Sequence, residues 1–230
     1  MNRSEVYKSL EIFNKNHQGR WIPNPYHDTL KDVDIGHIIQ ERLTGIRGDR
    51  CVKPDYHGYE LKVSTGQVSL CTSGCYIEPD SLLRFGKVRE DGKTEAYQKF
   101  YYDRDSDTKK YKWKTKLLLS ENSVQLIYTH VDNGEQHSNE LPLNTIRDAY
   151  NAKLKNLILC NVQKDGENNR IKIKSFVVCE GFSFLGFCNA LKDRKIWFET
   201  RCRTGKNRGN TFRMASASLS RLYKTVQEIT

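Results

Sequence analysis

The sequence predicts an α/β protein in which a mixed central β-sheet is flanked by helices, and three observations carry that prediction. Helix-like and strand-like stretches alternate along the 230 residues instead of occurring in blocks. Hydrophobic residues make up 37% of the chain and aromatics 10%, enough for a packed core. The run "KNLILCNVQ", residues 155–163, is apolar at its centre, and "RIKIKSFVVCEGF", residues 170–182, alternates; both patterns fit strands buried in a sheet.

Taken in order, residues 4–16, "SEVYKSLEIFNKN", begin with a Ser that can cap and place apolar side chains at helical spacing. Residues 34–45, "DIGHIIQERLTG", form a second expected helix. Asp34 can cap it, Ile35, Ile38, Ile39 and Leu43 share a face, and Gly45 can end it. "GYELKVS", "KWKTKLLLS" and "NSVQLIYTHVD" are strand-like, the last ending at "DNG", a hairpin signal. "LNTIRDAYNAKL" is helical and runs into the buried strand at 155–163. After the alternating strand come a helix, "SFLGFCNALKD", and a strand followed by a basic loop, "KIWFETRCRTG". The closing stretch "ASLSRLYKTVQEI" is expected to be a helix. Residues 84–112 are rich in charge and tyrosine, and "YQKFYYDRDSDTKKYKWK", residues 97–114, fits a nucleic-acid surface and an exposed β-hairpin equally.

Lys and Arg number 38 against 28 Asp and Glu, a formal net charge of +10. Such an excess attracts polyanions over long range and points to a nucleic-acid partner. The seven cysteines, 51, 71, 75, 160, 179, 188 and 202, are scattered and odd in number, and no CxxC pair occurs. Several sit in apolar runs as small hydrophobes, so reduced thiols and a cytoplasmic protein are expected. His27, His37, His130 and His137 lack the spacing of a zinc site. No stretch approaches the ~20 apolar residues of a membrane span, so no membrane partner is expected.

One short stretch carries chemistry. "KPDYHGYELKVS", residues 53–64, holds Asp55, Glu60 and Lys62 within eight positions. Pro54 biases the chain toward extension, and His57-Gly58 can close a tight turn between Tyr56 and Tyr59. That turn returns Asp55 beside Glu60, while strand alternation puts Glu60 and Lys62 on one face and Leu61 and Val63 on the other. Two carboxylates can hold Mg²⁺ for phosphodiester hydrolysis, and a lysine beside them can orient or deprotonate a water. Glu-x-Lys on a strand is also a common solvated ion pair. Glu41 on the preceding helix can add a third carboxylate.

The segment "DIGHIIQERLTGIRGDRCVKPDYHGYELKVS" resembles the core of the PD-(D/E)xK nucleases. It is most similar to the MvaI/BcnI group of type II restriction endonucleases, relatives of the mismatch-repair enzyme MutH, which show a "PDFHxIEIK"-like block. The match continues through "RFGKVREDG", "KLKNLILC" and "RTGKNRGNTFRM", in order, over roughly residues 30–214. The resemblance implies a single nuclease domain, residues 1–230, with two lobes around a DNA cleft: a catalytic lobe near 1–120 and a recognition lobe near 121–230. It implies metal ligation by Asp55, Glu60 and the Leu61 carbonyl, Lys62 as catalytic lysine and Glu41 as auxiliary acid. The cofactor would be Mg²⁺, with Mn²⁺ as a substitute. The activity would be site-specific double-strand cleavage by a monomer, leaving 5′-phosphate ends, in a host whose cognate DNA methyltransferase is not a physical partner.

"RCRTGKNRGNTFRM", residues 201–214, supplies the expected double-stranded DNA contacts. Arginine suits guanine and asparagine suits adenine in the major groove, while cations on phosphates position the duplex. The candidates are Arg201, Arg203, Lys206, Asn207, Arg208, Asn210 and Arg213, with His57 from the turn. The resemblance places recognition here, although relatives have histidine and aspartate near these positions and this chain does not. A MutH-like nickase, a structure-specific resolvase and a non-catalytic DNA-binding module are the rival expectations.

Overall fold

The computed structural model describes residues 3–45, 54–72, 113–130, 133–203 and 206–229. Residues 84–112, and with them "RFGKVREDG", lie outside the described residues. The first helix, α1 (Arg3–His17), buries Val6, Leu10 and Phe13, the apolar stripe that its spacing predicts. A short strand, β1 (Trp21–Pro23), leads to α2 (Asp32–Thr44), which ends at Gly45 with φ 73° and its N–H donating to the Glu41 carbonyl at 2.7 Å. The left-handed glycine is the expected stop. The expected start shifts by three residues: Lys31 is the cap, and Asp34 lies inside the first turn accepting the Lys31 N–H at 3.0 Å. Asp34 is fully buried and also meets Asn24 at 2.9 Å and His27 Nδ1 at 2.8 Å. Burial opposes its ionisation, yet the Lys31 amide, Asn24 and His27 outweigh that and hold its pKa below the usual value.

The remaining elements are β2 (Glu60–Ser64), β3 (Gln67–Thr72), β4 (Trp113–Leu119), β5 (Ser123–His130), β6 (Gln136–Pro142) and α3 (Leu143–Lys153). They continue with β7 (Asn156–Asp165), β8 (Arg170–Phe182), α4 (Phe184–Lys192), β9 (Ile196–Arg203), β10 (Lys206–Ala215), a 3₁₀ turn (Ser216–Leu222) and β11 (Tyr223–Ile229). The main sheet runs β1-β8-β7-β2, with β11 also on β8. The β2–β7 pair is parallel and the other pairs are antiparallel, so the sheet is mixed, as predicted. Two three-stranded sheets, β3-β10-β9 and β4-β5-β6, complete the described pairing.

The closing stretch is not an α-helix. Residues 216–222 make a 3₁₀ turn, and 223–229 pair antiparallel with β8 from Tyr223↔Phe182 to Ile229↔Phe176. At 13 residues, β8 extends far beyond the three-residue β1, which leaves a length of its backbone for β11 to satisfy. Close packing shapes the approach: a Cβ on Gly186 would stand 2.2 Å from the Arg221 carbonyl oxygen, so only glycine fits there. The expected basic loop after residue 200 is likewise mostly strand, because β9 continues to Arg203 and β10 resumes at Lys206.

Contacts divide the chain into two units, each assembled from separate stretches. The first comprises 1–68, 151–186 and 215–230, and the second 69–150 and 187–214. The units interleave along the chain because β7, β8 and β11 return to the sheet that carries β2. In the first unit, α1 and α2 cover one sheet face through Leu10, Ile38 and Ile39 against Ile158, Phe176 and Val178. In the second, Tyr150, Phe187, Phe198 and Phe212 stack edge-to-face with centroids 5.0–6.5 Å apart. Cys160 and Cys179 are buried free thiols. Among the described residues no helix is long and apolar enough to cross a membrane.

Candidate active site

Residues 56–59 close the tight turn that the sequence suggests. The backbones of Tyr56 and Tyr59 exchange hydrogen bonds of 2.9 and 2.8 Å. His57 (φ 47°) and Gly58 (φ 85°) both take positive φ, as a two-residue type I′ turn requires. Glycine accepts that geometry freely, and His57 does so at a steric cost. Two phenol groups fix the turn. The Tyr56 hydroxyl donates to Ser9 Oγ at 3.1 Å and the Tyr59 hydroxyl to Glu180 Oε1 at 2.5 Å. Arg3 meets the other Glu180 oxygen at 2.5 Å. Burial, then the hydrogen bond and charge of Glu180, push the Tyr59 pKa far up, so its proton stays in place as a donor.

The hairpin delivers Asp55 to the end of β2. Asp55 Oδ2 accepts the Leu61 N–H at 3.0 Å. In a strand the N–H and C=O of one residue point to the same side, so the Leu61 carbonyl opens toward the Asp55 side. β2 is the last strand of its sheet on this side, paired only with β7 among the described strands. Strand alternation does the rest: Leu61 joins the α1–α2 core, while Glu60 and Lys62 face the other way.

Glu60 is only 1% exposed. Its Oε1 lies 2.6 Å from Lys62 Nζ and 3.5 Å from Lys153 Nζ, and its Oε2 is buried with no hydrogen-bond partner. Burial raises the Glu60 pKa; Lys62 and Lys153 pull it down, and the nearby charge of Asp55 pushes it up. Two carboxylates that repel one another, one with an orphaned buried oxygen, beside an open carbonyl, form a hard oxygen donor set. It fits a divalent cation of the Mg²⁺ type. Sequence reasoning missed Lys153. It sits in the last turn of α3, remote in sequence from Glu60, and the only local signal was a basic residue at a helix C-terminus.

Glu41 stands elsewhere. It is exposed on α2 and takes a hydrogen bond from the Tyr26 hydroxyl. Among the described residues no three His, Cys, Asp or Glu groups gather around one metal-sized point. The geometry therefore brings together Asp55, Glu60, Leu61 and Lys62, adds Lys153, and does not bring Glu41 to them.

His57 occupies the turn itself, its ring 4.7 Å from that of Tyr56. Arg201 and Arg203 lie on β9, and Lys206, Asn207, Arg208, Asn210 and Arg213 on β10. The two strands pair antiparallel with a bulge between Asn207 and Asn210. β10 also pairs with β3, so the two strands belong to a three-stranded sheet. Arg213 is half-buried, and its Nε donates to Ser69 Oγ of β3 at 3.2 Å.

The described fold is similar to restriction endonuclease MvaI in complex with its cognate DNA substrate, with a TM-score of 0.68, 15% identity and full coverage of both chains. The same enzyme in the absence of DNA gives a TM-score of 0.44 at 16% identity, covering 100% of this chain and 99% of that one. A comparison with curated proteins gives no match. The model of the MvaI/BcnI restriction endonuclease family matches residues 10–223, nearly the whole chain. The chain belongs to the MvaI/BcnI restriction endonuclease family.

Proposed function

We propose that the protein is a type II restriction endonuclease that uses Mg²⁺ to hydrolyse both strands of duplex DNA within a short site, leaving 5′-phosphate and 3′-hydroxyl ends. The observation that carries this reading is the buried, unpartnered Oε2 of Glu60 beside Asp55 and Lys62. Asp55, Glu60 and the Leu61 carbonyl would hold the ion, with Mn²⁺ able to substitute. When bound, Mg²⁺ supplies charge neutralisation at the phosphate and acidifies a water.

The chain's own groups do the rest. Lys62 is held by Glu60 through one of its three ammonium protons, which leaves donors to orient the attacking water and meet negative charge developing on phosphate oxygens. Lys153 offsets part of the Glu60 charge from the other side, so the carboxylate can stay ionised in a buried place. Tyr59 and Tyr56 fix the hairpin and hence the distance of Asp55 from Glu60. Glu41 enters only as an auxiliary acid, and would first have to release Tyr26.

DNA contact is supported by the +10 charge and by the DNA complex of the similar fold. Arg201, Arg203, Lys206, Asn207, Arg208, Asn210 and Arg213 are the proposed contacts, with His57 beside the cleavage centre. The protein would act as a monomer, with host DNA protected by a separate methyltransferase. Because Ser69 holds Arg213 in place, Arg213→Ala should cost about 1–3 kcal/mol of discrimination at one base pair. Binding to single-base variants of the site measures it; an equal loss on every sequence would instead mark a phosphate contact.

Digestion of a long DNA of known sequence, with Mg²⁺ and with EDTA, tests the whole reading. Discrete metal-dependent fragments sharing one terminal sequence are expected. Nicks without double-strand breaks would move the protein to the MutH-like class, and cleavage confined to branched DNA would make it a resolvase. Binding without cleavage in any divalent metal would leave a non-catalytic module.

A further inference from the structure

The connection between α4 and β9 carries a feature that the proposed cleavage chemistry does not use. Arg194 has φ 55°, in the left-handed region. Its N–H donates to the Leu191 carbonyl at 3.0 Å, and the Lys195 N–H donates to the Ala190 carbonyl at 2.8 Å. These are the paired bonds of a Schellman helix end, whose left-handed position glycine fills most readily. An arginine there is sterically disfavoured. The helix dipole accounts for Lys192 at the C-terminal end of α4. It does not account for a long side chain at 194, where glycine would relieve the backbone.

The surroundings of Arg194 indicate what that side chain meets. It is exposed and makes no side-chain hydrogen bond or ion pair among the described residues. With Lys116 of β4 and Lys192 it borders a pocket of about 600 Å³ whose walls include Leu117 and Leu191, and whose lining contains no carboxylate. Trp197 lines the same pocket and is 37% exposed. In the β9–β10 register Trp197 stands directly across from Arg213, and cross-strand partners share a sheet face. The neighbouring pair, Phe198 and Phe212, packs in the aromatic core, and Phe198 also lines the pocket. Three cations and an aromatic surface, with Asp193 as a neighbouring acid outside the described pocket lining, form a surface complementary to phosphate and sugar rather than to base edges.

We propose that Arg194, with Lys116, Lys192 and Trp197, grips the phosphate backbone of duplex DNA flanking the base pair proposed for Arg213. This rests on the proposed action on DNA. From Ile196 to Arg203, β9 spans roughly 23 Å, or about seven base pairs of duplex. A contact at the near end of β9 therefore lies beside Arg213 and away from the hairpin end. It adds affinity that is independent of sequence and dependent on salt.

The test is binding of the full chain in EDTA to duplexes of about 30 base pairs, with and without the cleavage site, across a salt series. Arg194→Gly should melt about 2 °C higher, since it removes the disfavoured conformation. It should bind both duplexes several-fold more weakly, by the same factor, with a salt slope shallower by about one. Arg194→Lys should keep the slope. Unchanged affinity and slope in Arg194→Gly overturn the proposal, and so does a loss confined to the duplex that carries the site. A wild-type chain that binds no duplex overturns the cleavage reading and this proposal together, whereas a wild type that cuts DNA beside an unaffected Arg194→Gly overturns this proposal alone.

Discussion

Replacing Lys62 by alanine is expected to lower the cleavage rate by about 10²–10⁴-fold while leaving DNA binding within a few-fold of wild type. The ammonium performs two tasks that no neighbour duplicates at the same distance. It stands 2.6 Å from Glu60 Oε1, against 3.5 Å for Lys153, and it shares with Glu60 the face of β2 that carries Asp55 at its end. Its loss removes a donor for the water and the phosphate. It also removes the nearer of the two cations that draw the Glu60 pKa down, so a larger fraction of Glu60 is protonated at a given pH. Single-turnover cleavage at saturating DNA and metal, run over a pH series, separates the two effects. A rate that recovers fully at high pH would mean that Lys62 acts only by keeping Glu60 ionised. A normal rate at neutral pH would remove Lys62 from the chemistry.

The catalytic cluster was legible in the sequence because nearly all of it is local. Pro54, the His57-Gly58 turn and the alternation Glu60-Leu61-Lys62 are fixed by backbone geometry within nine residues, and the hairpin closes as that geometry requires. α1, α2 and the long strands β7 and β8 were legible for a similar reason, since their apolar periodicity is strong over ten or more residues. Lys153 was not, because only the chain crossing from α3 to β7 brings it to Glu60. β11 was misjudged as a helix because Leu219, Leu222, Val226 and Ile229 recur at helical spacing. Val226 proves to be exposed on a strand whose hydrogen bonds go to β8. β1 has three residues, too few for any period to show, and exists because the far end of β8 accepts it. Glu41 lies on the expected helix, but its neighbour Tyr26 could not be foreseen from spacing.

Glu60→Gln should separate stability from activity. The wild-type carboxylate is almost wholly buried, and burial is the largest influence raising its pKa, ahead of the opposing pull of Lys62 and Lys153. The native state therefore holds the Glu60 proton more tightly than the unfolded chain does. Stability from this group is fully present below the ordinary glutamate pKa and is lost as pH rises through the higher native value. Glutamine keeps the shape, can satisfy part of the site and carries no charge to desolvate. In EDTA the variant should melt above wild type, and the difference should grow with pH through that window and then level off. Added Mg²⁺ should stabilise wild type but leave the variant nearly unmoved, because a ligand stabilises only the state that binds it. Cleavage by the variant should fall at least about 100-fold. Scanning calorimetry at several pH values, with and without Mg²⁺, is sufficient to decide. A glutamine variant that melts below wild type in EDTA at neutral pH would show that the lysines more than compensate the buried charge. Equal Mg²⁺ stabilisation of both proteins would show that Glu60 does not hold the ion.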